Sequence, residues 1–193
     1  MKNIDYQITF FSPWHCGSGL SAGADVDALV IKDRQNFPYV PGKTIKGLIR
    51  EAAEDYVNFC HLNQRDLIIK SFGYSADASK DEKIHSIQGT MFFTNAVLSE
   101  QEQQIIKNQK AQNYLYGSIS STSIDDSGVA EKHSLRKIQT TVPCKLYGQI
   151  LDVPDEFEDT LCQSFGLIKR LGVNRNRGLG RCKINCCKEG EQE

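Results

Sequence analysis

Ile4, Tyr6, Ile8 and Phe10 alternate with Asp5, Gln7 and Thr9 near the start of the chain, a period of two that predicts a half-buried strand over Ile4 to Phe11. A glycine-bearing loop follows, Ser12-Pro-Trp-His-Cys-Gly-Ser-Gly19, then Ala22-Gly-Ala-Asp-Val-Asp27, the apolar piece Ala28 to Ile31 and the turn signal Pro38-Tyr-Val-Pro-Gly42. From Thr44 the period changes. Ile45, Leu48, Ile49, Ala52, Ala53, Tyr56, Val57 and Cys60 fall on one face of a helix.

Tyr74 to Gln88 is polar and reads as an exposed loop before a second strand around Thr90 to Val97. Ser99 to Gln112, rich in Glu, Gln and Lys, is either a short surface helix or a loop. Residues 116–141 read as a hairpin with a polar tip at Asp126-Ser127-Gly128, and strand character returns at Ile138 to Val142 and Leu146 to Leu151. Glu156 to Leu171 predicts a second helix, with Phe157, Leu161, Phe165 and Ile168 on one face. Its acids lie at the start, Lys169 and Arg170 at the end, and Gly172 follows as a cap, which suits the helix dipole. A strand over Arg181 to Cys187 precedes an acidic tail. Strand, helix, strand, strand, helix, strand is the ferredoxin-like α+β order, here one domain over 1–193 with a hairpin inserted at about 116–141.

The 193 residues are 39% hydrophobic and 24% charged, the composition of a globular protein with one core. No apolar run reaches the roughly 18 residues of a membrane span and no signal-peptide core opens the chain, so no membrane partner and a cytoplasmic location are expected. Seven cysteines, an odd number, then suggest reduced thiols. His15-Cys16, Cys60-His61 and Cys182-x3-Cys186-Cys187 invite zinc, but on a strand Cys187 faces away from Cys182 and Cys186, and buried free cysteine is the expectation. His85 and His133 read as exposed loop residues, with no nucleophile pair at either.

A net charge of −1 excludes a protein basic all over, yet the bases are concentrated. Lys43 and Lys46 stand at the start of the first helix with Arg50 beyond them, where cations oppose the helix dipole. Either an anion such as phosphate offsets that, or two lysines are merely solvated. Between Asp159 and Glu189 the chain carries Lys169, Arg170, Arg175, Arg177, Arg181, Lys183 and Lys188 without an acid. Gly178 and Gly180 beside these arginines would let the backbone approach a sugar-phosphate chain while guanidiniums take its oxygens; the alternative is a turn with solvated arginines. A phosphate loop of the nucleotide-hydrolase kind is excluded, because Phe37 stands where its first glycine belongs.

Four motifs in order, His15-x-Gly17-x-Gly19, Gly23-Ala-Asp-Val-Asp27, Pro38 through Arg50, and Arg177-Gly-Leu-Gly-Arg181, resemble the RAMP superfamily of CRISPR-associated proteins. Phe72-Gly73, Thr122 to Ala130, and Ser134-Leu-Arg136 through Pro143 are similar to the thumb region of the backbone subunit of type III effector complexes. The resemblance implies an RNA-recognition-motif-like palm that binds CRISPR RNA through its backbone, and partners that include target RNA, further copies of the chain and other type III subunits. It also implies RNA contacts at His15, Gly17, Lys43, Lys46, Arg50, Ser134, Arg136, Arg175, Arg177, Gly178, Gly180 and Arg181. A catalytic aspartate is implied at Asp27, with Asp25 the competitor, using weakly held Mg²⁺ or Mn²⁺ at Asp27 to cut target RNA. Where the family often places a small residue and a proline after that aspartate, Ala28-Leu29 stands here. Left to themselves, Asp25 and Asp27 read first as turn or capping residues. A non-catalytic structural subunit and a stand-alone guide-precursor endonuclease are the competing readings.

Overall fold

The computed structural model describes residues 1–23, 25–74 and 86–187; Ala24, most of the polar stretch with His85, and the tail from Lys188 lie outside them. Strand β1 (Lys2–Phe10) buries Ile4, Tyr6, Ile8 and Phe10 and turns Asp5, Gln7 and Thr9 outward, as its alternation requires. Helix α1 (Gly42–Phe59) buries Ile45, Ile49, Ala52, Ala53 and Val57. It begins two residues before the expected Thr44. No side chain caps Pro41, but the Gly42 N–H donates to Asn95 Oδ1 at 2.9 Å, and a Cβ at Gly42 would collide with the Phe93 carbonyl.

A second helix, α2 (Arg65–Phe72), lies where no helix was expected. It is held by the burial of Ile68 and Phe72, and the chain leaves it through Gly73 at φ +85°. The short strands β2 (Gly73–Tyr74) and β3 (Ile87–Gln88) pair with each other. The expected strand over Thr90 to Val97 reduces to β4 (Phe92–Phe93), after which Thr94 bonds Gln149 once and Val97 exchanges a mutual pair of backbone bonds with Tyr147 along the same neighbour. Ser99 to Gln112 resolves as helix α3 (Glu100–Asn108), started by a reciprocal capping box between Ser99 and Glu102. The hairpin is β5 (Tyr116–Ser121) against β6 (Arg136–Thr141), followed by β7 (Lys145–Val153), α4 (Glu158–Ser164) and β8 (Cys182–Cys187).

The main sheet runs β4-β7-β1-β8, every pair antiparallel. In chain order this is second, third, first, fourth, the ferredoxin-like arrangement, with α1 packed against α4. The helix expected over Glu156 to Leu171 departs from expectation. It is a 3₁₀ turn (Asp155–Phe157), α4, and another 3₁₀ turn (Phe165–Leu167), and it stops before Lys169. Its apolar face is as read: Phe157, Leu161, Phe165 and Ile168 are all buried. What ends it early is competition for the backbone, because Arg170 bridges Arg181 and the Cys182 N–H donates to the Lys169 carbonyl. Lys169 and Arg170 therefore do not complement a helix end, and Gly172 is no cap. It lies against the His15 carbonyl, at φ +98°.

The cysteines bring a second correction. Cys162 on α4 and Cys186 on β8 form a disulfide, with Cα atoms 5.9 Å apart, instead of remaining reduced. The fold makes this pair by laying α4 over the sheet, a proximity that spacing along the chain does not reveal. Burial pushes the Cys144 and Cys182 thiols up to about 11.

Candidate nucleic-acid interface

The chain from Ser12 to Gly17 passes beneath the loop that joins α4 to β8. Gly180 N–H donates to the Pro13 carbonyl at 2.9 Å, Val173 N–H to the His15 carbonyl at 3.0 Å, and Arg181 N–H to Ser12 Oγ at 3.0 Å. At Gly180, φ is +67° and a Cβ would collide with the Leu171 carbonyl, so glycine is required by both backbone and space. Anchored on both sides, the loop projects a turn whose 3₁₀ segment Arg175–Arg177 is flanked by left-handed Asn174 and Gly178. Arg175, Arg177, Gly178 and Arg181 are exposed and Gly180 is buried. None of the three arginines joins an ion pair among the described residues. Three exposed guanidiniums without an acid partner make this turn a positively charged surface.

The α1 residues are less uniform. Lys43 is exposed and Lys46 half-buried, whereas the Arg50 guanidinium bonds Glu54 at 2.8 Å and the Gly73 carbonyl at 3.1 Å. Arg175 meets a different part of α1, where Leu48, Glu51, Ala52 and Asp55 line a cleft with it. Arg50 is thus occupied within the fold, and Glu51 and Asp55 share the cleft with Arg175. Lys145 and Lys183, both exposed, flank Thr9 in one cross-strand row of the sheet. No sequence signal marked that row, since register alone creates it.

His15 is 2% exposed and its Nδ1 bonds the Gln139 carbonyl at 2.6 Å, so it shapes the loop from within and presents no ring to solvent. Gly17, exposed, bridges Val30, and a Cβ there would press on the His15 ring at 3.2 Å. Gln139 also accepts from the Val30 N–H through Oε1 at 3.3 Å and donates its own N–H to the Ala28 carbonyl at 3.0 Å. This organising residue was not anticipated; it stands in an alternating strand among ordinary polar neighbours.

Asp27 sits on the same seam. Its N–H donates to the Lys137 carbonyl at 2.8 Å, and its Oδ2 accepts the Lys137 N–H at 2.6 Å. Asp27 is exposed, with its second carboxylate oxygen outside that bond. Asp25 is exposed in the tight Ala22–Val26 turn. Among the described residues no three His, Cys, Asp or Glu side chains converge.

Ser134 is engaged inside the hairpin, pairing with Thr122 Oγ1 at 2.6 Å and accepting from the Ser123 N–H at 3.0 Å. Arg136 is exposed opposite Ser121, where the paired strands end. At the hairpin's root, Lys32 lies over the Tyr116 ring at 3.8 Å, and partial burial lowers the Lys32 pKa from its ordinary value.

The RAMP superfamily profile matches residues 7–183, nearly the whole described chain. The chain belongs to the RAMP superfamily. Among solved structures, this RAMP protein is similar to a chain of a cryo-EM structure of the Type III-B Cmr-beta bound to cognate target RNA, with a TM-score of 0.68, 12% identity, and 96% of this chain and 97% of that one covered. It is similar also to a chain of the apo-state Type III-B Cmr-beta, with TM-score 0.68 and 12% identity, over 97% of this chain and 98% of that one. No curated protein matches it in sequence. At that identity the structural likeness speaks for the fold.

Proposed function

We propose that this RAMP protein is a guide-RNA-binding backbone subunit of a type III CRISPR ribonucleoprotein, assembling with copies of itself and with other effector subunits on CRISPR RNA and target RNA. One observation carries the reading: Arg175, Arg177 and Arg181 are exposed without an acid partner on a loop whose glycines bind it to the body. The membership of similar chains in Type III-B Cmr-beta assemblies supports the same direction. Recognition of this kind rests on phosphates and sugar hydroxyls and has little base preference over most of its length.

The finer part of the proposal is endonuclease action on target RNA at Asp27. The Asp27 carboxylate would hold Mg²⁺ or Mn²⁺ weakly, and such an ion would supply charge neutralisation at the phosphate under attack. Asp27 itself is held in register by Lys137, which fixes where its carboxylate faces. That same bond favours a second reading, a subunit that binds RNA without cutting it, in which Asp27 is a clasp for the hairpin. A stand-alone guide-precursor endonuclease finds no support in His15, which is buried.

Fluorescence anisotropy of a labelled single-stranded RNA over a salt series tests the RNA-binding reading. Three lost phosphate contacts should flatten the slope of log K against log salt by about 2, at roughly 0.7 per contact, in the triple variant R175A/R177A/R181A. An unchanged slope, or no binding by the wild type, overturns the reading.

A further inference from the structure

The cleft between α1 and the loop leading to Arg175 has no role in the account above. It is an open cleft of about 340 Å³, at the small end of the roughly 300–1,000 Å³ of ligand sites. Leu48 and Leu167 give it an apolar wall, Glu51 and Asp55 an acidic side, and Lys169, Arg170 and Arg175 a basic one, in which Arg170 donates to the Arg175 carbonyl at 3.0 Å. Glu51 and Asp55 are one helical turn apart and so share a face. All five charged residues are exposed, and none joins an ion pair, the pairs among the described residues being Met1–Asp155, Lys2–Glu158 and Arg50–Glu54. Opposite charges that line one cleft without closing on each other suit a ligand that carries both complements: hydrogen-bond donors for the carboxylates and an anion for the cations.

We propose that this cleft is a nucleotide subsite selective for guanine, a proposal that rests on the RNA-binding reading above. Ionised carboxylates only accept hydrogen bonds. Guanine presents its N1–H and 2-amino group side by side on the Watson–Crick edge. Adenine and cytosine offer one amino group beside an acceptor nitrogen, and uracil one N–H between two carbonyls. Acceptors placed against a carboxylate are left unpaired or repelled, which ranks guanine first and uracil last. Leu48 and Leu167 supply apolar surface for the base plane, while Lys169 and Arg175 take the phosphate. Most of the RNA would then be held without regard to sequence, with one base position read.

Isothermal titration of the full chain with 5′-GMP, 5′-IMP, 5′-AMP and 5′-UMP tests this, alongside salt-dependent binding of an oligouridylate. We expect GMP to bind at least tenfold tighter than UMP, with IMP, which lacks the 2-amino group, in between. The double variant Glu51→Gln, Asp55→Asn keeps the shape but adds donors, and should bring GMP and UMP within twofold while oligouridylate binding persists. Equal affinities in the wild type, no GMP binding up to millimolar concentration, or a guanine preference that survives in the double variant overturns the subsite. If oligouridylate binds and the preference is absent, only the subsite falls. If no RNA binds at any salt, the RNA-binding reading falls and takes the subsite with it.

Discussion

The βαββαβ body and the hairpin of β5 and β6 are fastened by different forces. In the body, β1, β7 and α1 lose apolar side chains from water: Ile8, Ile45, Ile49, Leu146 and Ile150 are all fully buried. Along β5 every residue after Tyr116 is exposed, and beyond it Ile124, Val129 and Leu135 are 65%, 61% and 69% exposed. What holds the hairpin is polar and concentrated at its root: the mutual Trp14–Thr141 backbone bonds, Gln139 against Ala28, Val30 and His15, the Asp27–Lys137 clasp, and the Tyr116 hydroxyl on the Asn36 carbonyl at 2.7 Å. Burial scales with area and resists local opening, whereas hydrogen bonds near the surface exchange readily with water. The body thus sets global stability, and the hairpin presents apolar residues that contribute little to it.

The largest expected effect breaks the body and spares the hairpin. Ile45→Ala or Ile150→Ala should lower unfolding free energy by about 2–5 kcal/mol, as deletions in tightly packed cores do. Leu135→Ala should stay within about 0.5 kcal/mol. Urea denaturation of the three variants measures both. A loss at Leu135 comparable to that at Ile45 would show that the hairpin belongs to the cooperative core.

A smaller contrast lies within the arginine loop itself. Gly178 and Gly180 both have positive φ, at +89° and +67°, but space around the first is open and a Cβ at the second collides with the Leu171 carbonyl. Gly178→Ala should cost roughly 1–2 kcal/mol from backbone strain alone. Gly180→Ala should cost clearly more and also weaken RNA binding, since it unseats the support of the arginine turn. Thermal melts and anisotropy on both variants check the order, and equal losses would mean that the loop accommodates the added methyl.

How much of this was legible in the sequence follows from which force acts. β1 and α1 announced themselves because one face is buried and its period survives in the residue order. α2 is too short to repeat its period, so Ile68 and Phe72 looked incidental, although Asp66 near its start, Lys70 near its end and Gly73 after it were usable signals. The second helix ended early because Lys169 and Arg170 pair with β8, a contact from beyond the window in which a helix is read. The cationic turn was readable as composition. The Arg50–Glu54 pair was readable as an i,i+4 spacing on the first helix, but the second Arg50 bond to the Gly73 carbonyl, the burial of His15, the Cys162–Cys186 bond and the role of Gln139 all depend on which segments meet in space, and no local pattern carries that.

The smallest structural effect gives the sharpest functional division. Asp27 is both the clasp on Lys137 and the residue proposed to act on target RNA, and two substitutions separate these roles. Asn at this position keeps a carbonyl oxygen that can accept the Lys137 N–H but lacks the negative charge that a divalent cation needs. Ala removes both. Because the site is exposed, water can replace the lost acceptor, so Asp27→Ala should cost only about 0.5–1 kcal/mol, and Asp27→Asn less. Amide exchange at Lys137 should accelerate in the Ala variant and stay near wild type in the Asn variant. In RNA-loaded particles, Mg²⁺- or Mn²⁺-dependent cutting of a complementary RNA should be lost in both variants while target binding persists, and Asp25→Ala should be milder. If the Asn variant cuts as the wild type does, Asp27 is a clasp alone. If wild-type particles bind target without cutting it, the non-catalytic reading describes the subunit, and the body and hairpin serve to hold RNA only.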